Sequence, residues 1–134
     1  MTTEDLEMTD TPSTVLVLNL DLLFGSRISA AVKALGLQPR FVKTTEAFCA
    51  AAEAPELAIA ILDMNAPVDW GAIAALLADP AIIVPIIGFG PHVDVDGRRA
   101  AKTAGLRRIL SNGEFNADMA GVIRRYAKPF SPPD

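Results

Sequence analysis

The sequence predicts one doubly wound α/β domain: a five-stranded parallel sheet in the order 2-1-3-4-5, sandwiched between two layers of helices. Three observations lead there. Short, continuously apolar runs alternate with longer segments whose apolar residues recur at helical spacing. Successive strands start about 20–25 residues apart, the separation that right-handed βαβ crossovers need. The composition is 51% hydrophobic but only 6% aromatic, with Ala, Leu, Ile and Val dominant, which suits a parallel sheet covered on both faces. At 134 residues the chain can close one core of its own.

Val15-Leu16-Val17-Leu18 is a continuous apolar run and reads as a buried first strand. Phe24, Ile28, Ala31, Val32 and Leu35 follow at i, i+4, i+7, i+8 and i+11, the stripe of an amphipathic helix that Gly36 closes. Residues 40–43 form a short edge strand. Thr44 or Thr45 caps a second helix that runs to about Glu53, and Pro55 stops it. Residues 58–62 are the third strand, which ends in Asp63. Asp69 caps a helix with Trp70, Ile73, Ala74 and Leu77 on one face, broken by Asp79-Pro80. Residues 82–89 are the fourth strand. Pro85 has no N–H, so its paired part begins near that residue. Residues 94–104 form a helix that Gly105 ends, and 109–110 a fifth strand. Phe115, Met119, Val122, Ile123 and Tyr126 repeat the first helix's spacing and predict one last helix.

In this topology strands 1 and 3 are neighbours, and the crevice at the switch point is lined by residues 19–21, 63–65, 88–92 and 111–113. Residues 1–13 carry Glu4, Asp5, Glu7 and Asp10 without a basic residue and read as a disordered acidic leader. The domain spans 14–128. Residues 129–134 hold three prolines and form a flexible tail. The formal charge of −4 resides in the leader, and the body is close to neutral. Arg98, Arg99, Lys102, Arg107, Arg108, Arg124, Arg125 and Lys128 fall in the last third, a pattern of either a solvated face or a docking surface for an acidic partner. No apolar run approaches the roughly 20 residues that span a bilayer. Cys49 is the single cysteine; it fits a reducing cytoplasm and reads as a small apolar group on a helix. A near-neutral body with few exposed aromatics argues against nucleic-acid binding. One His and one Cys leave no Cys–His or Ser–His–Asp constellation, so no enzyme is expected.

Taken together, the segments ILDMNAP, VPIIGFGP and AGLRRILSNGEF resemble, in order and spacing, the third-, fourth- and fifth-strand segments of bacterial response regulator receiver domains, a flavodoxin-like family. The resemblance covers residues 14–128 and puts Asp63 at the phosphoacceptor position. It also implies a degenerate site. The family's acidic pair, which holds Mg²⁺, is matched by Asn19 and Leu20, with Asp21 one residue on. The hydroxyl residue ending strand 4 is matched by Gly90, the Lys ending strand 5 by Asn112, and the aromatic switch residue by Ile109. Asp63, alone or with Asp21, is expected to bind Mg²⁺ weakly, and no cofactor is expected. His92 stands in the crevice loops, as a crevice ligand or as a side chain bonding loop backbone.

The expectation is therefore a stand-alone receiver-like regulatory module, a pseudo-receiver that acts by protein–protein interaction in the cytoplasm without normal Asp phosphorylation. Its partners would be a histidine kinase or an effector protein, or a second copy through the helix 4–strand 5–helix 5 face. Two alternatives stay open: an atypical phosphoaccepting response regulator using Asp63, and a small-molecule sensor at the switch-point crevice.

Overall fold

The computed structural model describes residues 11–131. Most of the expected leader and the end of the expected tail lie outside the described residues. The elements run β1 (Thr14–Leu18), α1 (Leu22–Ala34), β2 (Gln38–Val42), α2 (Thr45–Ala51), β3 (Leu57–Asp63), α3 (Trp70–Ala78), β4 (Ile86–Gly90), α4 (Val95–Ala104), β5 (Arg108–Ser111), α5 (Asn112–Ala117) and α6 (Met119–Tyr126). The strands pair in parallel in the order β2-β1-β3-β4-β5, as the sequence predicts. Backbone pairing begins before β1: Ser13 N–H donates to Glu56 and Ser13 C=O accepts from Gln38.

Alternation along the buried strands builds two cores. Val15, Val17, Ile59, Ile61, Ile87 and Phe89 face α1, α5 and α6. Leu16, Leu18, Ala60 and Leu62 face α2, α3 and α4, where they meet Phe48, Ile73, Leu76 and Ala101. Three rings knit the first core across elements. Phe89 stacks on Phe24 at 5.0 Å and on Phe115 at 4.4 Å between centroids. Phe130, within the expected tail, packs partly buried against the same cluster. No helix among the described residues is long and apolar enough to cross a membrane.

The helix ends follow local chemistry. Thr44 caps α2, Asp69 caps α3 and Asp94 caps α4, each accepting from a first-turn N–H. Gly36 and Gly105 take the positive φ that closes α1 and α4. Three sequence expectations need correction. The fourth strand starts at Ile86, because Pro85 has no N–H to give to the ladder; its carbonyl still accepts from Ala60. The face of α3 is rotated slightly: Ile73 and Leu76 are buried, while Trp70 and Leu77 are only partly so. The last helix is two helices. Asp118 turns its carboxyl to the Gly121 N–H and leaves the helical conformation, so it ends α5 and caps α6.

The ring stack gives a stability prediction. Phe89→Ala removes the fully buried central ring of the trio and should cost about 3–5 kcal/mol, read from the urea midpoint. A cost below about 1 kcal/mol would mean the stack does not hold α1 and α5 to the sheet.

Candidate functional site

The site grows out of the strand register. Leu18 of β1 pairs with Leu62 of β3, so the residues that follow them, Asn19 and Asp63, emerge side by side at the carboxyl ends of two buried strands. Asp63 is 2% exposed. Asn19 Nδ2 donates to Asp63 Oδ2 at 2.8 Å. The Asn65 backbone N–H and Asn65 Nδ2 donate to Asp63 Oδ1 at 2.9 and 2.7 Å. Three amide donors thus satisfy a carboxyl group that burial would otherwise penalise. None of them carries a charge.

The network continues to β5. Asn65 Nδ2 also donates to Asn112 Oδ1 at 2.9 Å, and Asn112 Nδ2 returns a bond to Asn65 Oδ1 at 3.2 Å. Asn112 can reach Asn65 because α5 starts immediately after the strand. Ser111 Oγ accepts from the Glu114 N–H while Glu114 Oε1 accepts from the Ser111 N–H, a reciprocal cap. The signal for it, Ser-x-x-Glu at residues 111–114, is present in the sequence. The two bonds from Ser111 hold the Glu114 carboxyl below the usual glutamate range, the backbone one contributing most and Arg98 adding a smaller push the same way.

The other expected site positions are placed as follows. Asp21 caps α1, accepting from the Leu23 and Phe24 N–H groups, and so is directed at its own helix. Leu20 is half exposed. Gly90 is buried, and a Cβ there would come 2.9 Å from Met64 Cβ, so a side chain at this position meets a neighbour fixed to the backbone. Ile109 packs partly buried against the second core. His92 is exposed and lines a shallow depression on α4 with Val95, Arg98, Arg99 and Lys102; none of its bonds reaches the Asp63 network. Cys49 sits half-buried on α2 with Sγ 3.9 Å from the Ala72 carbonyl, and burial followed by the Asp69 charge pushes its thiol up.

The basic residues divide into two groups around the β5 edge. Arg98, Arg99 and Lys102 share the α4 depression. Arg98 keeps Nη1 buried without a hydrogen-bond partner among the described residues, and Arg99 makes only a 4.0 Å contact with Asp96. On the other side Arg108 stands over the Tyr126 ring at 5.8 Å, with Arg124 and Arg125 exposed on α6.

Two outcomes follow. Asn19→Ala leaves Asp63 Oδ2 buried without its donor and should cost about 1–3 kcal/mol in urea denaturation; no change would remove the bond from the site. Glu114 titrates lower folded than unfolded, so its stabilisation is complete above the ordinary glutamate value of 4.5 and fades as pH falls through the lower folded value. Stability measured against pH should show wild type ahead of Glu114→Gln at neutral pH, with the gap closing only on the acid side. A gap that is independent of pH would exclude the charge as its source.

No protein-family model matches the sequence, and no curated protein matches it. Solved structures do. The receiver domain of the sensor histidine kinase PA1611 from Pseudomonas aeruginosa PAO1, described with a magnesium ion in its active-site cleft, superposes with a TM-score of 0.71 at 19% identity, over 86% of this chain and 97% of that one. The chemotaxis protein CheY4 of Vibrio cholerae gives 0.68 at 15%, over 86% and 98%. The beryllofluoride-activated NtrC4 receiver domain dimer gives 0.62 at 20%, over 84% and 98%. The chain therefore has the fold of response regulator receiver domains.

Proposed function

We propose that this protein is a regulatory module that acts by binding another protein and not by phosphorylation of Asp63, and that it is not an enzyme. One observation carries the proposal: the carboxyl group at the acceptor position is enclosed by neutral amides from Asn19 and Asn65. Phosphoryl transfer depends on positioned cations that neutralise charge as it develops. No cationic group hydrogen-bonds Asp63 among the described residues, and the position at the end of β5 holds Asn112, committed to Asn65.

The donor set does not suit Mg²⁺, which requires hard oxygen ligands in near-octahedral geometry. Asn19 turns its amide nitrogen, not its oxygen, toward Asp63. Leu20 has no ligand atom in its side chain. Asp21 spends one carboxyl oxygen on its own helix.

The interaction surface of this reading is the face built by α4, β5 and α6. Arg99, Arg108, Arg124 and Arg125 are exposed, with Arg99–Asp96 their one ion pair among the described residues, and the half-buried Arg98 holds a buried N–H in reserve. An acidic surface on a histidine kinase, an effector or a second copy of the chain complements it. The beryllofluoride-activated NtrC4 receiver domain is described as a dimer, and self-association of this chain would use this face. The half-buried free thiol of Cys49 suits a reducing, cytoplasmic setting.

The test is intact-protein mass spectrometry after incubation with acetyl phosphate and Mg²⁺, with a phosphorylatable receiver in the same buffer and Asp63→Asn as controls. The expected result is no added phosphoryl mass on this protein while the control receiver gains one. A gain that disappears in Asp63→Asn would replace this reading with that of an atypical phosphoacceptor.

A further inference from the structure

A cavity of about 610 Å³ opens beside the Asp63 network, between the turn after β1, the first turns of α1 and the end of β2. This is within the size range of small-molecule sites. Its apolar wall is Leu20, Leu22 and Phe41, which are 50%, 91% and 41% exposed. Three large apolar side chains left in water around one concavity form a surface that gains free energy when covered. The wall is held in place from behind, since the Asn19 N–H donates to the Val42 carbonyl and so ties the turn to the end of β2.

The floor is polar, and its hydrogen bonding is incomplete. Asn19 is 7% exposed. Its Nδ2 is given to Asp63, while its Oδ1 has no hydrogen-bond partner among the described residues. That oxygen lies against Gly25, where a Cβ would stand 2.6 Å from it. Gly25 also lines the cavity, and the absence of a side chain there leaves the oxygen within reach of a ligand. An amide oxygen that is open to the cavity and free to accept a bond is the kind of polar group that fixes a ligand's orientation.

The charge is specific as well. Among the described residues, Lys43 is the one charged residue lining the cavity. The nearby start of α1 offers no anion site, because Asp21 already takes the Leu23 and Phe24 N–H groups. A single ammonium beside a carboxyl cap balances one negative charge and disfavours a di- or triphosphate. We propose that this cavity binds a small amphipathic monocarboxylate: an aromatic body against Leu20, Leu22 and Phe41, its carboxylate at Lys43, and an N–H or O–H donated to Asn19 Oδ1. Occupancy would be felt at Asp63 through the same Asn19 side chain. The inference goes beyond the interaction-module reading and stands whether or not Asp63 is phosphorylated.

Indole-3-acetate is the probe, since it has the ring, the single carboxylate and one N–H; indole-3-ethanol lacks the charge and 1-naphthylacetate lacks the N–H. Titration to millimolar concentration, followed by amide NMR and melting temperature, should give saturable shifts at Leu20, Gly25, Phe41 and the Asn19 side-chain amide, a smaller shift at Asn65, and a raised Tm. Indole-3-ethanol should bind about tenfold more weakly, and Lys43→Gln should remove that preference. 1-Naphthylacetate should bind more weakly than indole-3-acetate in wild type. Ser26→Phe, a substitution of an exposed residue on the rim, should fill the cavity and abolish binding while the fold is retained. Absence of saturable shifts, a charge preference unchanged in Lys43→Gln, or binding that survives Ser26→Phe would each overturn the proposal. So would a concentration-dependent dimer that Leu22→Asp dissolves without any probe binding, which would assign the apolar wall to a second copy of the chain.

Discussion

Strands β1 and β3 lie side by side and are closed off from water on both faces. A polar side chain can leave such a pair only where the strands end, and it must bring its own hydrogen-bond partners with it. Asn19, just past β1, and Asp63, the last residue of β3, stand side by side at that limit, and Asn19 donates to Asp63. From this one bond the rest of the site extends: Asn65 turns back to the free oxygen of Asp63, Asn112 closes on Asn65, and the start of α5 is fixed by the Ser111–Glu114 cap. The loops at one end of the sheet are therefore joined through neutral amides, where a charged cluster would need counter-ions to remain buried.

Asn19 belongs to two environments. One side of its amide serves the Asp63 network and the other faces the cavity under Phe41. A buried polar network is most valuable when every member is satisfied. Here the oxygen of Asn19 accepts no bond among the described residues and is left open on the side that faces the cavity. Gly25 supplies the necessary clearance, since any larger residue at that point of α1 would press on the amide oxygen. The geometry thus links a surface pocket and a strand-end carboxyl through a single rigid side chain, without any element having to move.

Much of the fold could be read from the chain. Continuous apolar strands, helical stripes, and the caps at Thr44, Asp69 and Asp94 each follow from local rules that the structure obeys. The break at Asp118 was hidden because the apolar stripe from Phe115 to Tyr126 keeps its phase across it, so periodicity shows one helix where a capping carboxyl makes two. At the site, single-residue identities were legible and their pairings were not. Asn65 and Asn112 are 47 residues apart in sequence, and only the placement of β5 brings them together. The bond from Asn19 required the register of β1 on β3, which no local pattern encodes. The cavity wall was invisible for a related reason: Leu22 reads as an ordinary apolar residue at a helix start until the fold leaves it facing water.

Gly90 and Met64 sit in contact across the ends of β4 and β3. Placing a hydroxyl-bearing residue at position 90 would set its Cβ against one that cannot swing away, since both are anchored to the buried backbone. A change at position 90 alone meets a collision, and a smaller residue at position 64 alone opens a void in the second core. Each step is unfavourable without the other, so the two positions behave as one locus. The road from this sequence to a hydroxyl at the end of β4 runs through a double change, and a search by single substitutions would pass it by.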